Sequence, residues 1–429
     1  MRAQSSAAEP PPEPGTSTNT SPWSVHGQTT FQLWNHGPFT SPYSGPNSLL
    51  NETEHDASLT ATLFVGRRLW SGGELYVNPE IISGTGPSDV RGLAGPPNGE
   101  TYRVDTPHPK ISLARVFLRQ TFELGGETEA LESEENQLPG QRLSRRVVLT
   151  GGKFSVTDVF DSNTYGHDPR TQFNNWSLWA NAAWDYPADT RGYTWGLAIE
   201  TYLDAWAVRA GTFLEPKVAN GLQLDHQISE AHGDVLEIEH AHSIDGQTGV
   251  VRVLAYLNHA RMGSYSEALA LNPEAPDVTA TREPGRTKHG FGINLEQAIT
   301  LEVGFFLRAG WNDGKTESWA FTEVERTLAG GLSIGGKIWN REPDRLGLAF
   351  GLNGINRDHR EYLAAGGLGF MLGDGRLNYA PERVIDAYYS LALGTIGFFS
   401  LEAQRYENPA FNRDRGPATL YGGRLHFEF

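Results

Sequence analysis

Charged side chains recur at alternate positions in segments that are otherwise apolar, a spacing that gathers them on one face of a strand. Arg68, Arg115, Arg119, Arg209, Arg252, Arg308 and Arg424 occupy such positions, as do Glu74, Glu200, Glu237, Glu239, Glu302, Asp386 and Glu402. Guanidinium and carboxylate groups in one ladder offer planar, two-pronged hydrogen bonding, which suits vicinal hydroxyl pairs as well as ions. The plainer reading is that they only brace and hydrate a wall.

A second concentration lies between Phe154 and Trp195. It holds Phe160, Tyr165, Phe173, Trp176, Trp179, Trp184 and Tyr186 beside Asp158, Asp161, His167, Asp168, Arg170 and Asn174. A connection that aromatic is a liability in water, so it must fold back onto the body of the protein. Its rings could stack on the C–H faces of pyranose sugars, or serve only as anchors. Covalent chemistry is less well served. His240 and His242 share a face two residues apart in "HAHS", but Ser243 lies on the other face, which rules out a Ser–His couple there. The two histidines keep the spacing of a metal pair, yet no metal site and no cofactor is assigned. A carboxylate dyad like that of a glycosidase needs desolvation that an open, water-filled lumen does not supply. No catalytic residue is assigned, and the chain reads as a non-enzyme.

The elements that position these residues are strands. The 429 residues are 38% hydrophobic, with 49 Gly, 11 Trp, 15 Tyr and 20 Phe, a profile of many strands joined by turns. No apolar run approaches the ~18 to 20 residues of a spanning helix, but barrel strands need only about 10 alternating residues each. Cysteine is absent and the net charge is -16, which removes thiol chemistry and excludes nucleic acid as a partner. Residues 1–22, rich in Pro, Ser and Thr, read as a disordered lead without the apolar core of a signal peptide, and 23–429 as one domain.

From Trp23 onward the period is two. Leu59, Ala61, Leu63 and Val65 oppose Ser58, Thr60 and Thr62; Ala114, Val116 and Leu118 oppose Arg115 and Arg119; Leu301, Val303, Phe305 and Leu307 oppose Glu302 and Arg308. Short turns at 71–73, 204–206, 245–249, 340–345 and 394–397 alternate with long connections, as in bacterial barrels. That rule gives about 16 strands. An acidic insert at 125–143 breaks it, and reads as a solvated surface loop or short helix. Trp23, Trp34, Trp70, Trp195, Trp206, Trp311 and Trp339 cluster near strand ends, as interfacial girdles do. The expected fold is all-β: a transmembrane antiparallel β-barrel of about 16 strands with inward-folded constriction loops. The competing fold is a soluble β protein, a two-sheet sandwich array or a solenoid.

Four stretches, "GKFSVTDVFDSNTYGHDPRTQFNNWSLWANAAWDYPADTRGYTWG", "RAGWNDGKTES", "YLAAGGLGFMLGDGRLNYAPERVIDAYY" and "NPAFNRDRGP", resemble the carbohydrate-selective porins of the OprB type. The resemblance covers nearly all of 23–429. It implies an outer-membrane barrel passing sugars down their gradient, a cleaved signal peptide, and inner loops that narrow the channel to a charged and aromatic eyelet. Candidate pore-lining residues are then Arg68, Arg115, Arg119, Arg252, Arg308, Glu200, Glu237, Glu302 and Asp386. Candidate constriction residues are Asp161, His167, Asp168, Arg170, Asn174, Trp176, Trp179 and Trp184, and 360–379 looks like a second inner or capping loop. The expected partners are the lipid bilayer of a Gram-negative outer membrane and small neutral carbohydrates, with monomer and trimer both open. A general or ion-selective porin is the nearest alternative, and an outer-membrane barrel enzyme the next.

Overall fold

The computed structural model describes residues 21–101 and 108–429; apart from Ser21 and Pro22, the expected lead lies outside them. The described residues form sixteen antiparallel strands. In chain order these are β1 (Trp23–His36), β2 (Glu54–Trp70), β3 (Gly73–Gly84), β4 (Lys110–Leu131), β5 (Gly140–Phe154), β6 (Thr194–Leu203), β7 (Trp206–Leu214) and β8 (His232–Ile244). There follow β9 (Gln247–Ala260), β10 (Arg286–Ala298), β11 (Val303–Asn312), β12 (Arg326–Gly335), β13 (Arg345–Gly354), β14 (Glu382–Ala392), β15 (Gly397–Glu407) and β16 (Ala418–Glu428). Every strand pairs with its neighbours in sequence, and β1 pairs with β16 to close a barrel. The seam runs from Gln28↔Glu428 to His36↔Leu420. It is completed by two hydrogen bonds between Gly27 and Phe429, of 2.8 and 2.9 Å.

The outer face is apolar. Leu33, Leu63, Leu118, Leu197, Leu236, Phe291, Leu348 and Leu401 are all exposed there. On a soluble protein a continuous belt of this kind would drive aggregation; around a barrel it is the lipid surface. Trp23, Trp70 and Trp206 are exposed at the rim of short turns and Trp195 at the opposite rim. Trp34 departs from the girdle: it points inward, is buried, and donates its indole N–H to Gln32 Oε1 at 3.0 Å. Packed against Trp34 is Gly422, where a Cβ would sit 2.7 Å from the indole ring. The outward Gly423 has open space instead.

Two further differences from the sequence reading have local causes. A bulge opposite Asn78 and Pro79 absorbs Ala114, so Ala114 is buried and the lipid-facing residues before it are Ile111 and Leu113. One extra residue shifts the phase of the alternation. The acidic insert is strand, because β4 and β5 extend through it as a paired hairpin out to Leu131↔Gly140. Its eight-residue tip, 132–139, turns back toward the barrel.

The core of the molecule lies inside the barrel. Phe117 of β4, Phe154 of β5 and Phe213 of β7 point inward and pack with Phe160, Trp184 and Tyr186 from the 155–193 connection. A second cluster near the long-loop rim joins α2 (Tyr265–Leu271) to α3 (Arg357–Ala364). There Tyr265 stacks on His359 with ring centroids 4.2 Å apart. The four-residue α1 (Trp176–Trp179) starts at Asn175, whose side chain accepts the Ser177 N–H, an N-cap that fixes its entry. An arginine at Leu401, near the middle of β15, should destabilise the barrel in lipid vesicles by about 2–4 kcal/mol, read from the urea midpoint of tryptophan fluorescence. In a soluble fold the same exposed change would be nearly neutral.

Candidate functional site

Three connections meet the wall at one narrow place. The 155–193 segment is pinned first through Asp161. Its N–H donates to Glu237 Oε2 at 2.8 Å, and its carboxylate accepts Asn181 N–H, Asn294 Nδ2 and Arg308 Nε. Arg308 also donates to the carbonyls of Asp161, Gly166 and Leu178. A fully buried guanidinium satisfied by a carboxylate and three carbonyls is a lock rather than a lining group. Asn174 ties the same loop to its neighbour: Gly99 N–H donates to both its backbone oxygen and its Oδ1, at 2.8 and 2.9 Å. Glycine is required at 99, where a Cβ would meet Trp179 Nε1 at 2.7 Å.

What remains open is a cavity of about 730 Å³. On one side Arg115 of β4 forms a two-pronged pair with Asp158, at 2.7 and 2.6 Å. Asp158 is itself held by the Ser155 N–H at 3.0 Å. Beside it Arg170 reaches Glu100 at 2.7 Å and Glu80 at 3.2 Å, while Tyr193 donates to Glu80. The same cavity has an aromatic lining. Trp176 stacks on Phe321 with ring centroids 5.5 Å apart and planes 13° from parallel, and Trp179 and Tyr186 close around Phe321. His167 and Asp168 complete the lining. Burial, reinforced by the Arg308 charge, pushes the His167 imidazole pKa down. Burial acts to raise that of Asp168, but bonds from Thr171 Oγ1 and the Arg170 N–H outweigh it and hold the carboxyl below its ordinary value.

The candidate residues therefore divide. Arg115, His167, Asp168, Arg170, Trp176 and Trp179 come together around this cavity. Arg68, Arg119 and Glu200 line a second cavity of about 1260 Å³ beside it, with Glu74 and Tyr202. Arg252 braces the wall with Glu239 at 2.7 Å and Glu296 at 3.3 Å. Asp161, Asn174 and Trp184 of the loop and Glu237, Arg308 and Asp386 of the wall are buried. Glu302 sits in the short turn between β10 and β11. Sequence reasoning passed over Glu80, Glu100, Tyr193 and Phe321. Glu80 was within reach, since it alternates with Tyr76 and Asn78 on the inward face of β3. Phe321 was not, because its place depends on how the 313–325 connection folds.

His240 and His242 lie on the outward face of β8, where His240 stacks on Trp206 at 4.2 Å. Among the described residues no group of three or more His, Cys, Asp or Glu could hold a metal ion.

A closed barrel with a lipid-compatible exterior and a lumen narrowed by inward loops defines an outer-membrane porin. The family model described as the carbohydrate-selective porin, OprB family, matches residues 47–429, and the chain belongs to that family. The fold is similar to that of Pseudomonas putida OprB, in its high-pH structure, with a TM-score of 0.69 at 15% identity over 95% of this chain and 94% of that one. It is also similar to the outer-membrane channel DcaP of Acinetobacter baumannii, with a TM-score of 0.50 at 9% identity over 95% and 97%. No curated protein gives a match to the sequence. Family and fold together imply a channel in the outer membrane, with sugars as its solutes.

Replacing Arg308 by Met strands the Asp161 carboxylate inside the barrel, at a cost of about 3–5 kcal/mol. The loop should detach and single-channel conductance should rise. An unchanged conductance with a correctly folded barrel would show that Arg308 is not the lock.

Proposed function

We propose that the channel passes mono- and disaccharides passively, and that sugars are recognised at the cavity bounded by Trp176, Arg115 and Arg170. One observation carries this reading: the flat Trp176–Phe321 stack lines the same cavity as two arginines whose charges are already matched by Asp158, Glu80 and Glu100. A neutral ring with an apolar C–H face and equatorial hydroxyls satisfies both kinds of group at once. A strongly charged solute would have to compete with those carboxylates. The volume lies within the range of about 300–1,000 Å³ typical of small-molecule sites.

Arg115 and Arg170 keep their guanidinium planes fixed through their carboxylate partners, so little side-chain freedom is lost when a hydroxyl binds. Trp176 is similarly held, its indole N–H donating to the Asn98 carbonyl at 2.7 Å. The net charge of -16 argues against a dedicated anion pore.

Swelling of liposomes in a series of mono- and disaccharides tests the reading together with block of ion current by the same sugars. Uptake should depend on sugar identity, and current should fall on sugar addition. Trp176→Ala should weaken the block by about fivefold, the equivalent of ~1 kcal/mol. Ion flow that no sugar blocks, with swelling set by solute size alone, would make this a general pore.

A further inference from the structure

The β4–β5 hairpin is longer than a barrel turn needs to be, and its tip does not hang free. Ser133 Oγ contacts Ser24 Oγ at 3.1 Å and His26 Nε2 at 2.9 Å on β1. Arg68 of β2 donates to the Pro139 carbonyl, and Arg119 of β4 to the Asn136 carbonyl, each at 2.9 Å. Leu138 is buried in the same cluster as Tyr76 and Phe117. Five anchors on four strands hold the tip inside the short-turn mouth, which is the periplasmic mouth in a bacterial barrel. In this position Glu134 and Glu135 border both lumenal cavities, together with Arg115, Asp158 and Arg170.

We propose that the tip at 132–139 is a second selectivity element on the periplasmic side of the eyelet, its Glu134 and Glu135 carboxylates favouring neutral and cationic solutes over anions. The proposal rests on the channel reading above but not on sugar recognition at Trp176. Its physical basis is charge balance. Arg115 and Arg170 are matched by Asp158, Glu100 and Glu80, whereas Glu135 makes no ion pair among the described residues. The second cavity is balanced, since Arg68, Arg119, Arg142 and Arg146 join its lining. The first has seven bordering carboxylates against three arginines, so a solute crossing it beside the tip passes a surplus of negative charge within a low-dielectric wall, where fields are focused.

The charge is also tunable. Loss of hydration within the mouth pushes the Glu135 carboxyl up to about 7, with Arg170 acting in the opposite sense. Lumenal water still reaches much of the side chain and tempers the rise. Facing it are Asp158, Asp168 and Arg170 from the 155–193 loop, Arg68 from β2, Glu74 from β3, Arg115 and Arg119 from β4, Arg142 and Arg146 from β5, Glu428 from β16 and His26 from β1. An acid whose pKa is raised is protonated below it, so the cation preference should be weaker at pH 5.5 than at pH 8.

The test measures reversal potentials in a salt gradient. Glu134→Gln with Glu135→Gln keeps the tip's shape and anchors; it should lower the cation-to-anion permeability ratio at least twofold at pH 8 and flatten its dependence on pH. A second variant joins Leu131 to Gly140, already paired across the hairpin, through a two-residue Asn-Gly turn. It should fold and raise conductance at least 1.5-fold. An unchanged ratio in the glutamine variant, or an unchanged conductance in the shortened one, overturns the proposal. Block of current by sugar, measured on the same channels, reports separately on the eyelet reading.

Discussion

Hydrocarbon offers no hydrogen bonds to a peptide group, so every strand of this sheet must find partners on both sides. That constraint closes β1 on β16 and carries the pairing out to Gly27 and Phe429. It also inverts the usual placement of residues. With Leu63, Leu236 and Leu401 committed to the outside, the other face of each strand must carry the polar groups. The interior is too wide for wall side chains to fill. The long connections then become the packing material, 155–193 the longest of them, and its aromatic content is what a core requires.

The filled lumen changes how its charges behave. An open pore would have hydrated them. Here the loops exclude water around Arg308 and Asp161, and around Lys288 and Asp185, which meet at 3.0 Å. Buried pairs of this kind survive only with further hydrogen bonds, and both have them; Asp185 also accepts the N–H groups of Trp319 and Ala320. Asp386 and Glu402 are likewise buried. The Asn174 N–H donates to Glu402 at 3.2 Å, so the open, water-filled lumen expected around inward carboxylates does not describe this pair.

Period-two patterning and alternating turn lengths made the strand count and the direction of each face readable, because both are local properties of the chain. Where the reading slipped, a local rule met a non-local cause. Ala114 followed the alternation in sequence but fell in a bulge set by its pairing with Asn78 and Pro79. Trp34 looked interfacial, yet the neighbouring strand offers Gly422 as its seat. The inward aromatics Phe117 and Phe213 interrupt the polar face of their strands, a trace of the buried loop that was visible before the fold. The partners of Arg170 were not visible, since Glu80 and Glu100 lie 90 and 70 residues away. The acidic hairpin was recognised as an exception, and its reason became clear only from what its tip touches.

The locks that hold the constriction join segments remote in the chain: Arg308 and Asp161 are 147 residues apart. A change at either one alone leaves a charge buried without its mate, while matched changes at both can keep the loop seated. Drift in such a protein is therefore constrained in pairs, and the two members should travel together through a lineage even though neither faces the solute. Trp176, on the open cavity, is held through the backbone carbonyl of Asn98, a partner that no side-chain change removes. A barrel built this way can exchange one cargo for another at its aperture while its locks stay fixed, which separates the history of its specificity from that of its architecture.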